Sequence, residues 1–216
     1  MKPEIPTIAV DVMGSDMGPE EIIIGIKKAL AEDKSEFGII VVGNEEIITP
    51  MLLRHNLIRE SRVMVYNASE VIEMDEKPIQ AIKTKKDSSM MRAIEIVKLG
   101  TASAVLSCGN TGALMAGGTI KLRTMQGIER PALGTVIPGK IKNFIFIDVG
   151  ASPDPKPESL VDNAILGANY AKIALGAKNP RVGLLSNGTE DGKGNMLVQT
   201  AHRLFKAQEG VINYGG

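Results

Sequence analysis

Tryptophan is absent and aromatic residues make up only 3% of the chain, so no stacking platform for bases or sugars is expected. Charge of one sign is also missing, because Lys plus Arg equals Asp plus Glu at 25 each. No global field therefore draws the chain to nucleic acid or an acidic membrane, and no nucleic-acid partner is expected. The single cysteine, Cys108, excludes an intrachain disulfide and fits a reducing compartment. No apolar run approaches the roughly 18 residues that cross a bilayer, and no basic-then-apolar leader precedes Ile8-Ala9-Val10-Asp11-Val12. A cytoplasmic protein is the expectation. There are two histidines, His55 and His202, both in predicted helices and both read as surface or packing residues. A zinc site and a His-based triad are thus not expected, and no metal or cofactor is assigned.

What is present is an aliphatic alternation of strands and helices. Short apolar runs predict strands at Ile8–Val12, Gly38–Val42, Arg62–Tyr66, Arg181–Leu185 and Gly210–Tyr214. Thr101–Leu106 reads as a further, buried strand. Helices are predicted over Pro19–Ala31, after Asn44, and over Ser88–Leu99, Leu114–Leu122, Glu158–Leu175 and Asn195–Ala207. Ala132–Ile137 and Asn143–Val149, separated by Pro138-Gly139, predict a hairpin that interrupts an otherwise parallel sheet. Asn67–Asp87 is a long polar connection in which only the stretch around Ile79–Ile82 looks helical. The expected fold is α/β, three-layered, around a largely parallel but mixed sheet. Residues 1–216 read as a single α/β domain whose alternation is still running at Gly216, as though incomplete there.

Ligands of open α/β sheets sit beyond the carboxyl ends of the strands. Four loops at that edge are polar and rich in small residues: Asp11–Asp16, Ser107–Gly112, Asp148–Lys156 and Ser186–Asn195. Ser107-Cys108-Gly109-Asn110-Thr111-Gly112 between a strand and a helix is the pattern of an anion site, with free N–H groups aimed at the ligand. Gly188-Thr-Glu-Asp-Gly192-Lys193 is one residue short of a P-loop, and Gly194 stands where a magnesium-holding hydroxyl belongs. No G-x-G-x-x-G follows the first strand, so dinucleotide binding lacks support. Cys108 reads as a small buried filler rather than a nucleophile. A group-transfer protein without a base needs a nucleophile already ionised at neutral pH, and inorganic phosphate is one. On that chemistry Asn110, Thr111, Lys156 and Lys193 are the candidate catalytic residues. Asp11, Gly14, Asp16, Ser107, Gly109, Gly112, Asp148, Asn187, Glu190 and Asn195 are the candidate substrate-binding residues.

Six stretches in order carry a resemblance: Asp11-Val-Met-Gly-Ser-Asp16 with Pro19, Ala68-Ser-Glu-Val-Ile-Glu-Met-Asp-Glu-Lys-Pro78, Ser107–Ala113, Gly127-Ile-Glu-Arg-Pro-Ala132, Asp148-Val-Gly-Ala151 with Lys156-Pro157, and Glu190-Asp-Gly-Lys-Gly-Asn195. Together they resemble the PlsX-type phosphate acyltransferases of bacterial phospholipid synthesis. The resemblance implies transfer of a fatty acyl group from acyl carrier protein to inorganic phosphate. It also implies a fold similar to the isocitrate and isopropylmalate dehydrogenases, a homodimer, no metal, and loose attachment at the inner membrane face through a segment this chain lacks. Ser15, Asn67 and Cys108 depart from the usual Gly, His and Ala of that family, and about a third of its usual length is missing after Gly216. Two alternatives stand beside it. One is a phosphotransacetylase-like enzyme on short acyl-CoA, the other a non-catalytic remnant that binds thioester or phosphate.

Overall fold

Alternating aliphatic side chains decide how the first strands pack. The computed structural model of the chain describes residues 5–33, 36–149, 152, 154–188, 193–208 and 210–215. These fall into two compact units, Met1–Arg123 and Thr124–Gly216, taken here one at a time. The first unit runs β1 (Thr7–Asp11), α1 (Pro19–Glu32), β2 (Gly38–Gly43), α2 (Glu45–Arg54), β3 (Val63–Asn67), α3 (Pro78–Thr84), α4 (Ser89–Lys98), β4 (Ala104–Ser107) and α5 (Thr111–Leu122). Its four strands form one all-parallel sheet in the order β3-β2-β1-β4. Val10, Val12, Ile39 and Val41 point to one face, where α1 and α2 cover them with Ile23, Ile26, Leu30, Ile48 and Leu52. Ala9, Ile40 and Val42 point to the other, against Ala93 and Ile96 of α4. Three layers follow from a period of two on the strands and 3.6 on the helices.

The helix starts follow local chemistry. Gly18, at φ +77°, takes a conformation that side chains disfavour, and Pro19 then opens α1 with Glu20 and Glu21 in its first turn. Asn44 caps α2 by accepting from the Glu46 N–H at 3.0 Å, and Ser88 caps α4 by accepting from the Met91 N–H at 3.4 Å. His55 stands one residue past α2 rather than inside it, 3.1 Å from the Glu20 carboxylate. One expectation fails in this unit. β4 is not a buried strand but the edge of the sheet, paired to β1 alone among the described residues, and Leu106 is 51% exposed.

The second unit runs β5 (Gly134–Ile137), β6 (Phe144–Ile147), α6 (Pro157–Leu175), β7 (Arg181–Val182), α7 (Met196–Lys206) and β8 (Asn213–Tyr214). The expected hairpin forms, with β5 antiparallel to β6. It does not interrupt a larger sheet, however, but makes a two-stranded sheet of its own, and β7 and β8 make another, parallel one. The strand expected to run to Leu185 is two residues long, because β8 offers only Asn213 and Tyr214 as partners. A core of Ala164, Ala201, Phe205 and Ile212 joins α6, α7 and the approach to β8. His202 belongs to that packing, with its Nδ1 2.5 Å from the Tyr214 hydroxyl.

The polar connection between β3 and α4 is folded rather than loose. Ile72, Ala81 and Ile82 leave water to join Met90, Met91, Ile94 and Ala113 in a small core of their own. Asn110, 6% exposed, holds the connection from the side. Its Oδ1 accepts from the Ala113 N–H at 2.9 Å, while its Nδ2 donates to the carbonyls of Glu73, Met74 and Glu76 at 3.2, 3.2 and 3.0 Å. Lys85 donates to the Val71 carbonyl at 2.6 Å and pairs with Glu76. Asp87 accepts from the Ser69 hydroxyl at 2.5 Å and from Arg92 at 2.5 Å, which hold its carboxyl down at about 2.

Two outcomes follow. Asn110→Ala removes a helix cap and strands three carbonyls, so urea unfolding should register a loss of about 2–4 kcal/mol. A loss within about 0.5 kcal/mol, the range of an inconsequential surface change, would mean that the latch is not formed. For Asp87 the folded carboxyl is depressed below its ordinary value, so its stabilisation is complete above that value and disappears as pH falls through about 2. Asp87→Asn should therefore have a lower urea midpoint than the parent at neutral pH, with the gap closing between roughly pH 4 and pH 2. A gap that stays constant over that window would contradict the assigned partners.

Candidate functional site

In the order β3-β2-β1-β4, the chain leaves β1 toward β2 on one side and returns to β4 on the other. The strand order reverses at β1 and β4, and such a switch point opens a crevice at the carboxyl ends of the two strands. Asp11 and Ser107 are register partners there. Asp11 is 1% exposed, and a carboxylate that deep must be paid back in hydrogen bonds. It accepts from the Ser107 hydroxyl at 2.7 Å and from the Met13 N–H at 3.2 Å, while the Ser107 oxygen accepts from the Gly109 N–H at 3.1 Å. The two loops then touch through glycines: a Cβ on Gly14 would lie 3.3 Å from the Gly109 Cα and 3.3 Å from the Ile72 carbonyl oxygen.

Asp11, Gly14, Ser107 and Gly109, predicted as substrate-binding, are thus brought together, and their polar groups face one another. Asp16 is exposed on the same loop, beside Ser15, whose hydroxyl accepts from the Met17 N–H at 3.2 Å. Asn110, predicted to orient substrate, is engaged within the protein here. Its amide is buried and hydrogen-bonded to the helix start and the connection before α3. Cys108 is corrected by the structure: it is exposed, not a buried filler. What remains open at the start of α5 is Thr111 and Gly112, both exposed. Their N–H groups have no hydrogen-bond partner among the described residues, and no acidic side chain occupies the first turn. Twelve residues of helix place their positive end there.

In the second unit Asp148 ends β6 at φ +62°, a left-handed conformation that costs a non-glycine residue energy. Its Oδ1 is buried without a hydrogen-bond partner among the described residues. Lys156 occupies the cap position of α6 and is exposed, without an ion-pair partner among the described residues. Asn187 and Lys193 are exposed on the loop before α7. Asn195 is the cap of α7, its side chain accepting from the Val198 N–H at 3.0 Å, so its chemistry is spoken for by the helix. Glu190 lies outside the described residues.

The sequence reading missed a small polar cavity of about 80 Å³ beside Lys156, bordered by Arg130, Ser159, Asp162 and Asn163, with Glu129 and Asp154 also on its lining. A signal for it exists. Lys156, Ser159 and Asn163 are spaced three and four apart, which puts them along one face of α6. Among the described residues no group of three or more His, Cys, Asp or Glu side chains is arranged to hold a metal ion. Nor is any described helix long and apolar enough to cross a membrane.

Residues 6–216 match the model of a family described as "Fatty acid synthesis protein". A phosphate acyltransferase of Halothermothrix orenii is 44% identical over 209 residues, covering 97% of this chain and 62% of that protein. One from Syntrophomonas wolfei is 45% identical over 210 residues, covering 97% of this chain and 65% of its own. The chain thus spans somewhat under two thirds of the length of these relatives. Among solved structures, EutD phosphotransacetylase from Staphylococcus aureus superposes with a TM-score of 0.68 at 19% identity, over 100% of this chain and 69% of that one. A branched-chain phosphotransacylase from Enterococcus faecalis V583 gives 0.66 at 18% identity, over 97% and 66%. These two likenesses establish the α/β fold. The match along nearly the whole sequence establishes the rest: the chain belongs to the fatty acid synthesis protein family that includes the phosphate acyltransferases.

Proposed function

We propose that this chain carries the phosphate acyltransferase reaction, moving a fatty acyl group from acyl carrier protein to inorganic phosphate. The observation that carries the reading is the unoccupied hydrogen-bonding capacity at the start of α5, set at the switch point of a parallel sheet. In the reaction a phosphate oxygen attacks the thioester carbonyl carbon and the carbon–sulfur bond breaks. The phosphate's proton goes to the departing thiolate, leaving acyl phosphate and free carrier protein. Negative charge develops on the carbonyl oxygen as the phosphate adds. The Thr111 and Gly112 N–H groups are the donors assigned to that oxygen, because fixed dipoles already aimed at it need no rearrangement. On the sequence pattern alone, Lys156 and Lys193 are the candidates for holding phosphate. Asp11 and Ser107 act through the loop backbone they hold rather than on substrate. The names of the relatives support phosphate as acceptor. The carrier-protein donor, a homodimer and a cytoplasmic location with peripheral membrane attachment complete the proposal on the strength of the sequence resemblance.

Backbone donors can be tested by proline. Thr111 is the first residue of α5, where proline fits, and Asn110 before it already lies outside the helical region at φ −57° and ψ 105°. Thr111→Pro should fold normally yet lower turnover by about a hundredfold, the usual cost of one lost oxyanion donor. Thr111→Val, which removes only the hydroxyl, should lose far less. Equal rates for the parent and Thr111→Pro would remove this helix start from the reaction. The donor is settled by trapping acyl phosphate as hydroxamate. Product from long-chain acyl carrier protein but not from acetyl-CoA supports the proposal. The reverse pattern would favour a short-chain phosphotransacetylase, the activity named for one structural neighbour. No hydroxamate from either donor would leave a non-catalytic binding protein.

A further inference from the structure

The cavity beside α6 holds a combination the proposed reaction does not yet explain. Asn163 is 7% exposed, lines the cavity, and its side chain has no hydrogen-bond partner among the described residues. Its amide is not among the fully buried polar atoms, so it stays available to a polar ligand in the cavity. Arg130 and Lys156 border the same space, and neither has an ion-pair partner among the described residues. Ser159, one turn before Asn163, adds a hydroxyl. These groups offer two cations, an amide and a hydroxyl around a cavity of about 80 Å³, room enough for a small tetrahedral oxyanion. Arginine suits such a ligand because its fork matches two oxygens at once.

The same lining carries carboxylates. Glu129 and Asp154 are exposed, whereas Asp162 is half-buried on α6 between Ser159 and Asn163. The acids do not form a metal-binding group, as noted above. A carboxylate in an oxyanion pocket repels a ligand with no proton and accepts a hydrogen bond from one that has a proton. At neutral pH inorganic phosphate always keeps at least one proton, and sulfate keeps none.

We infer that Arg130, Lys156, Ser159 and Asn163 form a phosphate-binding site in which Asp162 accepts the phosphate's own O–H and thereby selects phosphate over sulfate. The inference rests on phosphate as the acceptor in the proposed reaction, but it adds Arg130, Ser159, Asn163 and the selectivity through Asp162, which that reading does not contain.

Isothermal titration calorimetry on the 216-residue chain, with inorganic phosphate or sulfate and no acyl donor, tests it without reference to turnover. The parent should bind phosphate about tenfold or more tightly than sulfate. Arg130→Gln, at an exposed position where folding is safe, should weaken phosphate by about tenfold or more, and Asn163→Leu should do likewise. Asp162→Asn should bring the two anions to within a few-fold of each other. Unchanged phosphate affinity in Arg130→Gln, or no phosphate binding by the parent, would overturn the site. A parent that binds both anions equally would overturn the role of Asp162. Phosphate binding with these responses but no acyl transfer would sink the proposed reaction and leave the site standing. Acyl transfer that ignores all three substitutions would do the opposite.

Discussion

A buried carboxylate between two neighbouring strands governs the first unit. Asp11 ends β1 where water cannot reach it, and only the Ser107 hydroxyl and the Met13 N–H make that position tolerable. Those bonds fix the ends of β1 and β4 against each other. The fixed ends in turn bring Gly14 and Gly109 so close that a side chain on either would force its neighbour to shift by a few tenths of an ångström. The loop after β4 is therefore short and rigid, and α5 starts at one defined place with its first N–H groups outward. The polar side chains of this loop are engaged in holding its geometry, and the backbone they position is left exposed at the helix start.

The two units handle polar groups differently. In the first, buried polar side chains such as Asp11, Ser88 and Asn110 find protein partners. In the second, Asp148 carries a strained backbone and a buried, unpartnered carboxylate oxygen, while Asn163 leaves an amide open to a cavity. Strain and unmet hydrogen bonds cost stability, and they persist where a ligand or another polypeptide segment supplies what is missing.

Strand and helix positions were legible in the sequence because periodicity reports burial directly, as Val10, Val12, Ile39 and Val41 show on one face and Ala9, Ile40 and Val42 on the other. Helix starts were legible through Asn44, Ser88 and Pro19, since capping chemistry is local. Side-chain roles were not. An Asn at a helix start reads the same whether it caps or grips a ligand, and the arrival of Glu73, Met74 and Glu76 beside Asn110 is visible only in the fold. Cys108 and Leu106 misled because strand-end burial depends on which strand lies next, a fact absent from local pattern. Arg130 stood only inside a motif, with no site role, for a related reason: Ser159 and Asn163 of α6, which share its cavity, lie more than twenty residues away.

The latch on Asn110 has one more consequence, for motion. Long charged connections usually open independently of the elements around them and exchange their amides first. Here the Ala113 N–H is held by the same amide that grips residues 73, 74 and 76. The connection cannot lift away without releasing the amide that also caps α5, so the two segments form one cooperative opening unit. Ordering of the helix start by a bound anion would be felt more than thirty residues earlier in the chain, as slower amide exchange throughout the connection.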